Sequence, residues 1–277
     1  MEKIGLRQQI LNAIGSEPMS VNQLYAKFPE QKKTTVRGRL YESVGKGVNR
    51  IGKGLYISAN TISEIGDARK IIDDIVEDGD KFDFIFLDIP YEANGQRGGN
   101  RDLFTCDKIS PEDFGQLLPK CESLLRTEDS FLCFMFTQGK TSAPAFKRYF
   151  KHFENTGLKL AAQGSYEKLW PNGNPMNMGK YKMPLEYIML FNKSGNFSGY
   201  EMEQLNFSLS PDFEYPTSKP YEMIKSLVKS FTKPKEWVFD PFVGSAKIVK
   251  ACKELGRYCH VIDVSETSFN NFVFPLL

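Results

Sequence analysis

Histidine is nearly absent from the 277 residues, with only His152 and His260, which argues against histidine-rich metal chemistry. The five cysteines (Cys106, Cys121, Cys133, Cys252 and Cys259) are odd in number and form no CxxC pair. Neither a disulfide framework nor a cysteine-ligated zinc site is expected, and no metal is. No run of about 18 apolar residues occurs, so no membrane partner is expected. Met1-Glu2-Lys3-Ile4 lacks the apolar run of a signal peptide. The expected setting is therefore the reducing cytoplasm. Hydrophobic residues make up 41% and charged residues 25% of the chain, which excludes a largely disordered or collagen-like protein. At about 150 residues per domain, the length suits one large domain or two unequal ones.

Excess charge is also scarce, at +2 overall, but it is unevenly spread. Residues 30–53 hold seven basic side chains against Glu30 and Glu42, a local +5 that leaves −3 for the remainder. A small basic unit on a mildly acidic body is the first partition, drawn at residues 1–58 and 59–277.

In the basic unit, Leu6, Ile10 and Ile14 recur at helical spacing. Gly15-Ser16-Glu17-Pro18 breaks that helix, and Ser20 is placed to cap a second one carrying Val21, Leu24, Tyr25 and Phe28. Thr34 or Thr35 is expected to start a third, with Val36, Leu40 and Val44 on its apolar face. Gly45, Gly47 and Gly52 then mark turns around a hairpin of residues 48–51 and 54–57. Three helices and a hairpin resemble a winged helix. In such a domain the third helix enters the DNA major groove, which makes Lys32, Lys33, Thr34, Arg37, Arg39 and Arg50 candidate DNA contacts. A solvated basic helix face is the alternative.

From residue 61 onward, strand and helix signals alternate. Apolar runs at 82–87, 130–136, 187–191, 237–239 and 259–263 are separated by helical stretches at 67–78, 111–125, 143–153, 219–231 and 246–255. This pattern predicts an α/β fold with a mostly parallel sheet, whose ligands bind at the carboxyl ends of the strands. Asp88, Asp240 and Asp263 fall at such ends. Asp240-Pro241-Phe242-Val243-Gly244-Ser245 reads as strand, tight turn and helix start, a place where backbone approaches a ligand and a helix N-terminus favours an anion. Asp263, about twenty residues on, is where an acid accepts hydrogen bonds from a ribose. In Asp88-Ile89-Pro90-Tyr91, a carboxylate and a carbonyl can take both hydrogens of an exocyclic amine. Pro90 stiffens the turn, and Tyr91 offers a face for a planar base.

These residues resemble the amino-directed DNA methyltransferases. Asp88-Ile89-Pro90-Tyr91 is similar to that family's Asp-Pro-Pro-Tyr signature, and Asp240 to Ser245 to its S-adenosylmethionine loop. Thr217-Ser218-Lys219-Pro220-Tyr221 resembles its Lys-Pro motif, Ile65-Gly66-Asp67-Ala68 its Gly-Asp, and Leu185-Glu186-Tyr187-Ile188 its Glu-containing strand. With the catalytic motif first and the cofactor motif last, the order resembles the β-class. The resemblance implies a circularly permuted Rossmann-like class I methyltransferase fold behind the winged-helix unit.

It further implies S-adenosylmethionine as methyl donor and double-stranded DNA as partner, with a flipped-out target base. The expected activity is site-specific adenine-N6 methylation. Cytosine-N4 methylation, or a weakly catalytic DNA-binding subunit, are the alternatives. Asp88, Ile89, Pro90 and Tyr91 would hold the base. Asp67, Lys219, Pro220, Asp240, Pro241, Phe242, Gly244, Ser245, Lys247 and Asp263 would hold the donor. A homodimer or partner subunit, and a bacterial or phage-infected cell with a restriction-modification, phage or orphan role, are compatible with it.

Two departures stand out: Ile89 replaces the family's first proline, and Ala246-Lys247 replaces its Gly-Thr. Ala246 is expected to strain a left-handed turn by about 1 kcal/mol. The loop after Tyr91, with Arg97, Asn100 and Arg101, is a further candidate DNA contact, and the loop at 170–180 is expected to line the cleft. Only residues 193–218 remain for a target-recognition region, so the N-terminal unit is expected to supply much of the DNA binding.

Overall fold

The structure, a computed structural model, describes residues 5–14, 19–44, 48–52, 55–58, 60–90, 108–137, 143–175, 177–178, 181–182, 186–197, 205–210 and 218–277. Tyr91, Arg97, Asn100 and Arg101, and the side chain of Arg50, lie outside the described residues.

The N-terminal unit runs α1 (Leu6–Ile14), β1 (Met19–Ser20), α2 (Val21–Lys27), α3 (Lys33–Glu42), β2 (Val48–Gly52) and β3 (Leu55–Ser58). Ser20 caps α2 through a reciprocal box with Gln23, as its sequence position suggested. Helix α3 starts earlier than expected, with Lys32 rather than a threonine at the cap and no side-chain cap bond. Strand β1 joins the hairpin, giving a three-stranded sheet in the order β1-β3-β2.

The body contains β4 (Thr61–Ile65), α4 (Ala68–Asp78), β5 (Phe84–Leu87), α5 (Pro111–Leu124), β6 (Phe131–Thr137), α6 (Ala143–Phe150), β7 (Lys159–Lys168), β8 (Asn177–Met178) and β9 (Tyr181–Lys182). Then come β10 (Glu186–Asn192), β11 (Asn206–Leu209), α7 (Tyr221–Phe231), β12 (Trp237–Asp240), α8 (Lys247–Leu255) and β13 (Tyr258–Asp263). Eight strands form one sheet in the order β11-β7-β10-β6-β5-β12-β13-β4. Strands β4, β13, β12, β5 and β6 are mutually parallel, and β10 is antiparallel to both its neighbours. The last two strands in sequence thus lie between the first two of the sheet-forming body.

Both faces of this block are covered. Ile85, Leu87, Leu132, Phe134, Phe239 and Ile262 face one core with α4 and α5. Their sequence neighbours Phe84, Phe86, Cys133, Val238 and Val261 face the other with α7 and α8. This explains the continuous apolar runs: a strand buried on two sides has no polar face. The expected helix at 143–153 is shorter, ending at Phe150 and continuing as a 3-10 turn over Lys151–Asn155. Strands β7 and β11 gave little sequence signal, because β7 near the margin of the sheet mixes small, polar and apolar residues with no regular period. Among the described residues no helix is long and apolar enough to cross a membrane.

Helix α1 packs onto the body and shares its core. Gln8 donates to the Lys81 carbonyl at 2.9 Å and accepts from the Lys81 N–H at 2.8 Å. Asn12 Oδ1 accepts from the Trp237 indole at 2.9 Å, and Arg7 pairs with Glu64 at 3.3 Å. Under this helix lies Asp80, fully buried, with neither carboxyl oxygen hydrogen-bonded among the described residues. Burial pushes its carboxyl up to about 7, with Arg7 opposing and Asp78 and Glu64 adding to the rise. Because the folded value is raised, the favourable contribution is complete below pH 4 and is lost as pH rises through 7, a difference on the order of 4 kcal/mol. Asp80→Asn should therefore stabilise the protein more at pH 8 than at pH 5 in denaturant titrations. Equal effects at the two pH values would refute this account of Asp80.

Candidate active site

After β5 the chain turns to α5 on one face of the sheet, and after β12 it turns to α8 on the other. The crevice between these two adjacent strands is a switch point, where an open parallel sheet leaves room for a ligand. Asp88 follows β5 directly and Asp240 is the last residue of β12, so the two carboxylates border that crevice.

The Asp88 segment is held from behind. Ile89 is buried, and the Pro90 carbonyl accepts the Ile109 N–H at 2.9 Å. The Ile109 carbonyl in turn accepts the buried Tyr149 hydroxyl at 2.6 Å. The Asp88 carboxylate at the end of β5 is close enough to act on Asp240 at the end of β12. Sequence reading missed Ile109 and Tyr149, because neither carries a motif.

The turn after β12 has the expected shape. Gly244 has φ 48° and Ala246 has φ 53°, the latter a left-handed non-glycine residue at the start of α8. Asp240 accepts the Phe242 N–H at 2.9 Å, and burial holds its carboxyl well above the usual range. Asp263 Oδ2 accepts the Gly244 N–H at 2.8 Å and Oδ1 the Ser265 N–H at 2.9 Å. Asp263 thus fixes the turn itself, and burial raises its carboxyl against those two bonds. Each carboxylate oxygen has a further lone pair for a ligand hydroxyl. Ser245 shares a 3.0 Å hydrogen bond with Ser218, tying the turn to the Lys219-Pro220 segment.

Two residues expected to contact the donor carry ion pairs within the chain. Lys219 Nζ lies 2.6 Å from Asp88 Oδ2 and 3.3 Å from Glu186 Oε2, so it is shared between these two carboxylates. Asp67 sits at the carboxyl end of β4, beside the Asp263 strand, where it caps α4 and is paired with Arg69 at 2.9 Å. Arg69 and burial act oppositely on Asp67, and Arg69 holds it below the usual carboxylate range. Lys247 is the first residue of α8, at the mouth of the turn.

On α3, Lys32, Lys33, Thr34 and Arg37 are exposed. Arg39 instead pairs with Asp78 of α4 at 2.7 Å and Glu42 at 3.1 Å, which joins α3 to the body. No group of metal-ligating side chains occurs among the described residues.

Comparison with known proteins agrees with this geometry. A family model described as DNA methylase matches residues 82–273, the greater part of the chain. The chain belongs to this DNA methylase family. The type II methyltransferase M.BglII of Bacillus subtilis is 23% identical over 255 residues, covering 76% of this chain and 67% of that one. Among solved structures, the M1.HpyAVI-SAM complex aligns with a TM-score of 0.54 at 20% identity, over 75% of this chain and 94% of that one. The cytosine-N4-specific PvuII DNA methyltransferase gives the same 0.54 at 10% identity, over 74% and 82%. At these identities the two structures establish a shared mixed α/β fold.

Tyr149→Phe is expected to cost about 1–2 kcal/mol, because the Ile109 carbonyl loses its buried donor. A denaturant midpoint unchanged from wild type would show that Tyr149 does not support the Asp88 segment.

Proposed function

We propose that this DNA methylase transfers a methyl group from S-adenosylmethionine to the N6 amine of a flipped-out adenine in duplex DNA. The observation that carries the reading is the meeting of two strand ends at one crevice: Asp88 directly after β5 and, after the neighbouring β12, the Gly244–Ala246 turn. When bound, the donor supplies an electrophilic methyl on a sulfonium. The turn suits its size and chemistry: close backbone approach at Gly244, the N-terminus of α8 and Lys247 for a carboxylate, and Asp263 for ribose hydroxyls. Asp67 would stand beside the base of that nucleoside.

Asp88 and the Ile89 carbonyl would accept the two hydrogens of the target amine, which turns its lone pair toward the donor. The donor would supply the methyl carbon and retain the sulfur as leaving group, and Asp88 would accept the proton that the methylated amine gives up. Catalysis is then chiefly positioning, with the base stacked on Tyr91. Aspartate at the head of the motif supports adenine. The similarity to a cytosine-N4 enzyme keeps that amine as the second reading.

The body reads as a circularly permuted methyltransferase, because its C-terminal strands β12 and β13 sit between β4 and β5. The N-terminal unit reads as a winged helix, its order of three helices and three strands being that of such domains. Lys32, Lys33, Thr34 and Arg37 are its proposed duplex contacts, with Arg50, Arg97, Asn100 and Arg101 as additional ones.

The deciding experiment is incubation with labelled S-adenosylmethionine and unmethylated DNA, followed by nucleoside chromatography. Label should appear in N6-methyladenine and vanish in Asp88→Ala, while label in N4-methylcytosine would replace the adenine reading. Charge reversal at Lys33 and Arg37 should weaken duplex binding at least tenfold and flatten its salt dependence, with donor affinity unchanged. Unaltered DNA affinity would exclude α3 from the interface.

A further inference from the structure

Four charged side chains at the carboxyl edge of the sheet form one line of contacts with alternating sign. Lys168 Nζ lies 2.5 Å from Glu186 Oε1, Glu186 Oε2 lies 3.3 Å from Lys219 Nζ, and Lys219 Nζ lies 2.6 Å from Asp88 Oδ2. They come from the end of β7, the start of β10, the lead-in to α7 and the end of β5. The Glu186 side chain is 4% exposed and that of Lys219 9%, so solvent screens the inner contacts poorly. Two carboxylates sharing one ammonium would leave a net negative charge in a dry site. Lys168 brings the group to neutrality, the condition under which buried charges are tolerated.

We propose that Glu186 and Lys168 are positioning residues: Glu186 competes with Asp88 for Lys219, and Lys168 balances Glu186 so that Lys219 stays on Asp88 Oδ2. Oδ1 of Asp88 is then the oxygen presented to an incoming amine. The proposal rests on the reading of Asp88 as the amine acceptor. Lys168 belongs to none of the five motifs, yet by this argument it governs the charge on the residue that does the work.

The surrounding groups have opposed effects. Burial pushes the Asp88 carboxyl up and Glu186 adds to that, while Lys219 and Lys168 oppose it. Burial also pushes Glu186 up, but Lys219 and Lys168 outweigh it and hold that carboxyl below its usual range. From β12, buried Asp240 faces the same centre, with Asp263 beyond it. From β6, the buried Cys133 thiol is raised beyond its ordinary range by burial and then by Asp88.

The test is carboxyl-carbon NMR titration of Asp88, its signal assigned by its loss in Asp88→Asn, in wild type, Lys168→Met, Glu186→Gln and Lys168→Arg. Lys168→Met should raise the titration midpoint by about one pH unit, and Glu186→Gln should lower it by a similar amount. Lys168→Arg should leave it in place. The acid limb of the methyl-transfer rate should move in the same two directions, about tenfold in rate at a fixed acidic pH. General loosening of the fold cannot move the midpoint in opposite directions. A midpoint common to all four proteins overturns the proposal. Midpoints that move as stated in a protein with no methyl transfer would uphold the network and overturn the function proposed for it.

Discussion

The molecule depends on one constraint, the burial of a parallel sheet on both faces. The inner strands β12, β5 and β6 are apolar on each side, so their side chains offer no place for chemistry. In these strands polar groups enter only where the strand stops. Asp88, Asp240 and Asp263 are each at such a stop, and each is held by backbone N–H groups or by a buried ammonium. The last strands in sequence occupy the middle of this block, so the sheet cannot be completed until the C-terminal region has been threaded between β4 and β5. That non-local order makes the crevice a product of the whole body rather than of one local motif.

Charge is used sparingly inside this frame. Three carboxylates crowd the carboxyl edge, and burial raises the protonation preference of each. Lys219 and Lys168 oppose that rise at Asp88. Elsewhere the edge relies on main-chain donors, as at Asp263. The opposite end of the sheet shows what happens without such provision: Asp80 is enclosed with no hydrogen bond to its oxygens among the described residues, and its carboxyl climbs towards neutrality.

Much of the fold was legible in the sequence because doubly buried strands leave continuous apolar runs. The runs at 82–87, 130–136, 187–191, 237–239 and 259–263 each became a strand. Strands β7 and β11 were not legible, since a marginal strand such as Lys159–Lys168 has no single apolar face. Asp88, Gly244 and Asp263 could be placed because their chemistry is written within a few residues. The strained φ of Ala246 was foreseeable from the turn it interrupts. The partner of Lys219 was not: the contacts joining residues 88, 168, 186 and 219 exist only after four elements have assembled. Arg39 shows the same limit in reverse, since its place in a basic cluster gave no sign that it would be spent on Asp78.

The docking of the N-terminal unit has a geometric consequence. Its anchors, Lys81, Trp237 and Asp78, lie at the entrances of β5 and β12 and at the end of α4, the pole of the sheet opposite Asp88. Asp88 is seven residue steps on from Lys81, about 23 Å of extended chain. With α1 embedded in the common core, that spacing is set by the fold and not by a tether. On the reading of the N-terminal unit as a DNA-binding domain, a duplex that reached both it and Asp88 would have to run along the body from one pole of the sheet to the other. Sharing a core with the body, the unit would then fix the direction of that path.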